Sequence, residues 1–159
     1  MEVHKMKKQF TIWISLCLMF LFSGLHATAA EKPEYTFFGV GAEVSPSSDG
    51  TSYTVKTQGK KENEGIVFTP SNIQGGQKVS VELDLKGTEE VFIKIEETDA
   101  RGTFIKETAS QPIRLTDDWQ PLKLDALLSP TTKQIDVMLL TRNKATTEFL
   151  FKNVKVSKP

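Results

Sequence analysis

The sequence predicts an all-β protein whose strands form an antiparallel β-sandwich of the jelly-roll type. Three observations carry this prediction. Apolar and polar residues alternate over many short segments, which is typical of strands with one buried face. Turn-forming residues separate these segments at intervals of roughly 8 to 12 residues, as in sandwiches and jelly rolls. No segment shows the helical period of 3.6 residues.

Two short strands open the predicted domain. The segments 51–57 and 65–68 are rich in β-branched and aromatic residues, and polar residues separate them. An Asp-Gly pair at 49–50 precedes the first segment, and a Gly-Gly pair at 75–76 follows the second. Such pairs mark turns, so both segments have predicted ends.

The longest alternation is residues 79–85, VSVELDL, whose odd-numbered positions are apolar and whose even-numbered positions are polar. Residues 91–96, VFIKIE, repeat the pattern, with Val91, Ile93 and Ile95 on the apolar side. Because successive side chains of a strand point to opposite faces, each segment predicts a strand with one buried face.

A hairpin follows the second of these strands. Residues 99–102, DARG, have the composition of a hairpin loop, and residues 104–108 form the predicted returning strand. The remaining alternating segments predict further strands at 113–115, 122–124 and 135–141.

The last strand carries an irregularity. Phe149 and Phe151 share one parity, whereas Val154 and Val156 share the other. A regular strand would point these two pairs to opposite faces. One extra residue near Lys152-Asn153 would restore the phase, so the sequence predicts a β-bulge there.

Residues 1–29 have the organisation of a secretory signal peptide. The basic stretch KMKK at 5–8 precedes an apolar run at 10–25, and ATA at 27–29 supplies a small-x-small cleavage pattern. A membrane anchor is the alternative, but the apolar run is shorter than the roughly 20 residues that a spanning helix needs. The pattern therefore predicts a secreted, extracellular protein, with Met1 or Met6 as the initiator.

The rest of the chain is predicted to be a single domain. Residues 30–50 are rich in Gly, Ser and Pro, so we expect this segment to be partly irregular. Residues 51–159 contain the alternating segments and form the predicted β-sandwich. Neither an internal repeat nor a low-complexity linker divides them.

Residue usage excludes several kinds of chemistry. His4, His26 and Cys17 all lie in the leader, so the predicted mature chain has neither histidine nor cysteine. This excludes Ser-His-Asp and Cys-His nucleophiles and the common histidine zinc sites. The whole chain has equal numbers of basic and acidic residues, and the leader contains more lysines than acidic residues. The predicted mature chain therefore has a small net negative charge, which disfavours nucleic acid as a partner. We expect a non-enzyme without cofactor or metal; a secreted domain without disulfides suggests a bacterial source.

Residues 73–156 resemble the secreted carbohydrate-binding modules of the galactose-binding-like β-sandwich type. The resemblance rests on four phrases in order: a glycine turn and long strand, GGQKVSVELDLKG at 75–87; the hairpin at 92–104; the turn and strand DDWQPL at 117–122; and the closing phrase FLFKNVKV at 149–156. It implies a sandwich fold and a polysaccharide or cell-wall glycan as partner.

The resemblance also bears on Trp119 and on calcium. It implies that Trp119 is a framework residue whose ring packs between the sheets, rather than an exposed sugar platform.

Related modules often hold a structural calcium with an aspartate before the final valine and an acidic residue near the N-terminus. Glu43 matches the second position, but Lys152 and Asn153 stand near the first. We therefore predict no metal site here.

Four aromatic residues are the candidate ligand-binding residues. Phe92 shares parity with Lys94 and Glu96, so its ring would point away from the core and could stack on a sugar; the alternative is a second buried layer. The others belong to an N-terminal aromatic group that could equally pack as an edge strand: Tyr53, Phe37 and Phe38.

These observations favour a secreted, non-catalytic carbohydrate-binding protein that acts on cell-wall or extracellular matrix polysaccharide. The first alternative is a structural or interaction protein of the bacterial cell surface or biofilm matrix, without a sugar site. The second is a small secreted glycan hydrolase or lyase. We expect no nucleic-acid partner and no membrane association after signal cleavage, while the oligomeric state is open.

Overall fold

The computed structural model describes residues 35–158, which belong to one compact unit and form eleven strands in two antiparallel sheets. The strands of the first sheet are β1 (Phe38–Val40), β4 (Gly65–Phe68), β6 (Glu90–Thr98), β7 (Phe104–Ala109), β8 (Ile113–Arg114) and β10 (Gln134–Thr141). The strands of the second sheet are β2 (Ala42–Pro46), β3 (Tyr53–Thr57), β5 (Lys78–Gly87), β9 (Gln120–Leu127) and β11 (Glu148–Ser157).

The strand orders are those of an open sandwich. The six-stranded sheet has the order β1-β4-β10-β6-β7, with β8 also paired to β6, and the five-stranded sheet has the order β2-β3-β11-β5-β9. Every pairing is antiparallel and neither sheet closes on itself. The predicted antiparallel β-sandwich is therefore confirmed.

The core lies between the two sheets and follows the alternation of the sequence. The inward positions of β5, such as Val81 and Leu85, and those of β6, such as Ile93 and Ile95, are fully buried. Phe149 of β11 is buried with them. Burial of one large apolar side chain contributes about 1.5–3 kcal/mol, so this shared layer holds the sheets together.

The predicted bulge in the last strand is confirmed. The register of β11 against β5 shifts between Lys152 and Lys155, and Asn153 takes a left-handed conformation with φ of 54°. After the shift Val156 pairs with Val81, so its side chain returns to the inner side. One extra residue has restored the phase, as the sequence required.

The predicted hairpin loop at 99–102 is also present. The Asp99 carboxylate accepts hydrogen bonds from the backbone N–H groups of Arg101, at 2.8 Å, and Thr103, at 2.9 Å. Gly102 has φ of 77°, a conformation that glycine adopts without strain. These contacts close the turn between β6 and β7.

The described part of the N-terminal segment contains two short strands. Phe38–Val40 and Ala42–Pro46 lie on the edges of different sheets, while residues 35–37 and 47–50 lie outside strands. Gly41, with φ of 62°, lies where the chain crosses between them. Both strands are too short for an alternation of apolar and polar residues to be recognised in the sequence. They form strands because their backbones pair with β4 and β3. The predicted signal peptide lies outside the described residues.

Candidate functional site

The outer face of the six-stranded sheet points away from the core and carries large side chains. In β6 the alternation that buries Ile93 and Ile95 turns Phe92, Lys94 and Glu96 outward. All three outward side chains are half-buried rather than freely exposed. Neighbouring groups on the same face must therefore cover them in part.

Strand register extends this face across four strands. Phe38 of β1 pairs with Val67 of β4, Val67 with Met138 of β10, and Met138 with Lys94 of β6. Paired residues project on the same face of a sheet, so these four side chains form one row. With strands about 4.8 Å apart, the row is roughly 14 Å long. Phe38, at its outer end, is 62% exposed.

A second row lies next to the first. Leu140 of β10 pairs with Phe92 of β6, and Leu140 is buried although it points outward. Phe92 lines an open groove of about 360 Å³. Glu62 and Asn63, from the loop before β4, contribute to the groove from one side, and Gln111, from the β7–β8 connection, contributes from the other. The groove thus combines one aromatic ring with carboxylate and amide groups.

Lys94 places a cation in the middle of the apolar face. Its ammonium lies 2.6 Å from the Glu96 carboxylate and 3.5 Å from that of Glu107. Partial burial lowers the pKa of Lys94, but the hydrogen bonds and charges of Glu96 and Glu107 outweigh burial and raise the pKa above its usual value. The ammonium therefore stays charged and can donate hydrogen bonds.

A third row is acidic and borders the face. Asp136 of β10 pairs with Glu96, and Glu96 pairs with Glu107 of β7. The Thr69 hydroxyl donates to the Asp136 carboxylate at 2.6 Å, which fixes one end of this row. Apolar rings beside aligned hydrogen-bonding groups are the usual composition of a site for polar organic ligands.

The structure brings together two of the four predicted aromatic residues. Phe92 and Phe38 lie on the same outer face, as described above. Phe37 and Tyr53 instead pack at the margin of the core: their ring centroids are 4.8 Å apart, and each lies about 5 Å from the ring of Phe151. Phe37 and Tyr53 are thus separated from Phe92, and a ligand-binding role for them stays a prediction.

The predicted burial of Trp119 between the sheets is wrong. Trp119 is 36% exposed, and the Lys152 ammonium lies 4.2 Å from the centre of its ring. The reason is strand parity: β9 buries its even-numbered positions Leu122 and Leu124, so an odd-numbered residue before them points outward. Trp119 therefore lies on the outside of the five-stranded sheet.

Sequence reasoning missed several residues of the outer face. Val67, Met138, Leu140 and the paired state of Lys94 were not predicted. A signal was present, because residues 137–140, VMLL, are apolar at both parities, which is typical of a strand covered on both faces.

Two structural features are absent from the described residues 35–158. Between residues 35 and 158, His, Cys, Asp and Glu side chains form no group of three or more that could hold a metal ion. Over the same residues, the fold has no helix with the length and apolar character needed to cross a membrane.

The sequence matches no known family profile and no curated protein. Solved structures do match. The CBM22-1 xylan-binding domain of Xyn10C from Paenibacillus barcinonensis has a TM-score of 0.60 and 12% identity, over 77% of this chain and 85% of that domain. A family 29 carbohydrate-binding module in complex with mannohexaose has a TM-score of 0.57 and 17% identity, over 79% and 82%.

Longer proteins match through one part only. Xylanase 10B of Clostridium thermocellum, in complex with xylohexaose, has a TM-score of 0.63 and 14% identity, and tailspike protein 4 of bacteriophage CBA120 has 0.59 and 14%. This chain spans 26% of the xylanase structure and 20% of the tailspike structure. At such identities the matches establish the fold alone: the chain has a β-sandwich fold similar to that of these carbohydrate-binding modules, as the sequence resemblance implied.

Proposed function

We propose that this protein is a non-catalytic carbohydrate-binding protein, exported from a bacterial cell, that binds cell-wall or extracellular matrix polysaccharide. The binding surface in this proposal is the outer face of the six-stranded sheet. Export rests on the signal-peptide pattern of residues 1–29, and glycan binding rests on the outer face and on the fold it shares with carbohydrate-binding modules.

One observation carries the proposal: apolar side chains and a fixed cation share one solvent-facing sheet surface. Phe38 and Phe92 offer rings that can stack on the C–H faces of sugar units, and Met138 lies between them as apolar floor. Lys94 and its acidic partners can bond sugar hydroxyls. A row across four strands suits an extended chain rather than a single sugar.

The arrangement of carboxylates favours binding over catalysis. Glycosidases place two carboxyl groups on either side of the bond that they cleave. Glu96 and Glu107, the acidic pair on the outer face, are cross-strand neighbours and share the ammonium of Lys94. They lie side by side on one face of the sheet rather than on opposite sides of a cleft.

The direct test is a panel of polysaccharides followed by mapping of the surface that binds. Affinity electrophoresis should show retardation by at least one of xylan, mannan, a cellulose-type glucan or purified cell wall. Methyl resonances of Val67, Met138 and Leu140 should then shift on addition of an oligosaccharide of the retarding polymer. Leu150 and Leu127, outside the five-stranded sheet, provide matched methyl groups that should not shift.

Two outcomes would contradict the proposal. Absence of retardation by every polymer would exclude glycan binding, and shifts confined to Leu150 and Leu127 would exclude this face. The alternative is then a structural or interaction protein of the cell surface. Exposed apolar side chains support that alternative: Phe104 is 58% exposed and Leu127 is 67% exposed.

A further inference from the structure

We infer that Glu64 is the positioning residue of the groove: its buried carboxylate builds the groove wall that carries Glu62 and Asn63, and thereby sets the affinity of the glycan site. This inference rests on the proposed function. It assigns to the glycan site a residue that would not contact the glycan itself. Glu64 does not line the groove, and only 1% of its surface is exposed.

The Glu64 carboxylate organises the loop before β4 from the inside. One carboxylate oxygen accepts a hydrogen bond from the backbone N–H of Gly59 at 2.7 Å. The other oxygen accepts from the N–H groups of Lys60 at 2.9 Å and Lys61 at 3.0 Å. Three successive N–H groups of one loop therefore converge on one side chain, so the path of the loop depends on that carboxylate.

Two residues of the loop before β4, Gly59 and Asn63, have positive φ angles. Gly59 has φ of 67°, and a Cβ atom there would lie 2.5 Å from the Thr146 hydroxyl. Asn63, which reaches the groove, also takes a left-handed conformation, with φ of 59°. Non-glycine residues adopt that region seldom and need compensating contacts. The bonds to Glu64 hold the backbone of residues 59–61, directly before Glu62 and Asn63.

The backbone of Glu64 ties the loop to the end of β10, next to Arg142 of the groove lining. Its carbonyl oxygen accepts from the N–H of Thr141 at 2.8 Å and from the Thr141 hydroxyl at 3.0 Å. Thr141 ends β10, directly after Leu140 of the outer face and directly before Arg142 of the groove lining. Glu64 therefore holds the loop through its side chain and joins it to β10 through its backbone.

The hydrogen bonds to the Glu64 carboxylate favour its ionised form. Burial raises the pKa of Glu64, but hydrogen bonds from the backbone N–H groups of Gly59, Lys61 and Lys60 outweigh burial, so the pKa falls below its usual value. A neutral amide at this position has only one acceptor oxygen. Glu64→Gln should therefore release at least one of the loop N–H groups.

The chain offers a matched control in Asp99. Its carboxylate also accepts two backbone N–H groups in a surface loop, but the loop joins β6 to β7 and does not line the groove. We expect Glu64→Gln to weaken binding of the retarding oligosaccharide at least tenfold, and Asp99→Asn to leave it within twofold. Titration calorimetry measures both, and hydrogen exchange should show faster exchange of the amides of residues 59–61 in Glu64→Gln alone.

A rescue experiment separates positioning from general loss of stability. Glu64→Ala removes a CH₂–COO⁻ fragment, which acetate reproduces. Acetate should restore glycan affinity and slow exchange of the amides of residues 59–61 in this variant, whereas chloride at the same ionic strength should do neither. Wild-type affinity should not respond to acetate.

The outcomes distinguish the inference from the proposed function. If the wild type binds no glycan, the proposed function fails, and so does the claim that Glu64 sets the affinity. Hydrogen exchange of the amides of residues 59–61 still tests whether Glu64 holds the loop. If the wild type binds and Glu64→Gln binds equally well despite faster loop exchange, the inference alone is overturned. Equal loss of affinity in Asp99→Asn would also overturn it, because loss of stability would then explain both variants.

Discussion

The outer faces of the two sheets differ although both follow the same strand alternation. Outside the five-stranded sheet, side chains of opposite charge pair in the open, as in Lys56–Glu148 and Lys123–Asp125, both at 3.4 Å. Outside the six-stranded sheet, rings and aliphatic chains lie beside one ion-paired lysine, Lys94. The first composition is ordinary for a solvated sheet, whereas the second places apolar groups where water should favour polar ones.

This difference is informative because the buried faces of the two sheets are alike. Both contribute aliphatic and aromatic residues to one core, so the core contains no information about a ligand. An outward apolar surface does contain such information, since contiguous exposed apolar area marks interaction sites. Four substitutions test whether the contrast between the faces is functional.

Phe92→Ala should have the largest effect on binding. Removal of a central aromatic ring typically costs about 2 kcal/mol at a binding site, or roughly 30-fold in Kd. Stability should change little, by about 1 kcal/mol, because the ring is only half-buried. Trp119→Ala is the matched control on the other sheet and should leave the Kd unchanged in titration calorimetry. Equal losses in both variants would remove the distinction between the faces.

Lys94→Met should weaken binding by about 1.5 kcal/mol, roughly tenfold, because a charged donor is lost while the aliphatic stem remains. Since the pKa of Lys94 is raised, its charge contributes fully below the ordinary lysine pKa and is lost only as pH rises through the higher folded value. Wild-type binding should therefore be the same at pH 7 and pH 9. A loss of affinity between these values would show that burial lowers the pKa of Lys94 more than Glu96 and Glu107 raise it.

Trp119→Ala should lower the free energy of unfolding by only about 1 kcal/mol, since its contact with Lys152 is a partly exposed cation–π interaction. Phe151→Ala, at a fully buried position, should cost about 3–5 kcal/mol in the same urea titration. Similar losses for both variants would mean that Trp119 belongs to the core after all.

Lys56→Ala should have the smallest effect, at most about 0.5 kcal/mol, because surface ion pairs contribute little. Lys56 and Glu148 are 59% and 53% exposed. Thermal melts in low and high salt provide the measurement, and the small difference between wild type and variant should shrink in high salt, because salt screens an exposed ion pair. A loss above about 1 kcal/mol would show that this face, too, carries an organised charge network.

Local patterns were enough wherever the argument concerned one strand at a time. The alternation of β5 and β6, the loop at 99–102 and the bulge after Lys152 are consequences of period-two geometry and turn chemistry. Phe92 was identified in this way, because its parity alone turns it outward. The parity of Trp119 likewise predicts an outward position, whereas the resemblance to carbohydrate-binding modules predicts burial, and the parity is right.

Pairs of strands that are distant in sequence escaped prediction. Pairing of β10 with β6 places Leu140 beside Phe92 across a separation of nearly fifty residues, and pairing of β4 with β10 adds Val67 to the same face. The burial of Glu64, a charged residue in a polar loop, also depends on contacts with distant Thr141. The strand propensity of a segment does not show which distant strand it will pair with, because the packing of the whole fold determines that pairing.

The sequence by itself determined the all-β class, the phase of each long strand and thus which side chains could leave the core. It could do so because side-chain direction in a strand repeats every two residues, whatever the strand pairs with. Only the tertiary structure decided which outward residues became neighbours, which sheet carried the apolar face and how the loop around Glu64 shaped the groove. Those features depend on strand order and loop path, which many distant contacts determine together.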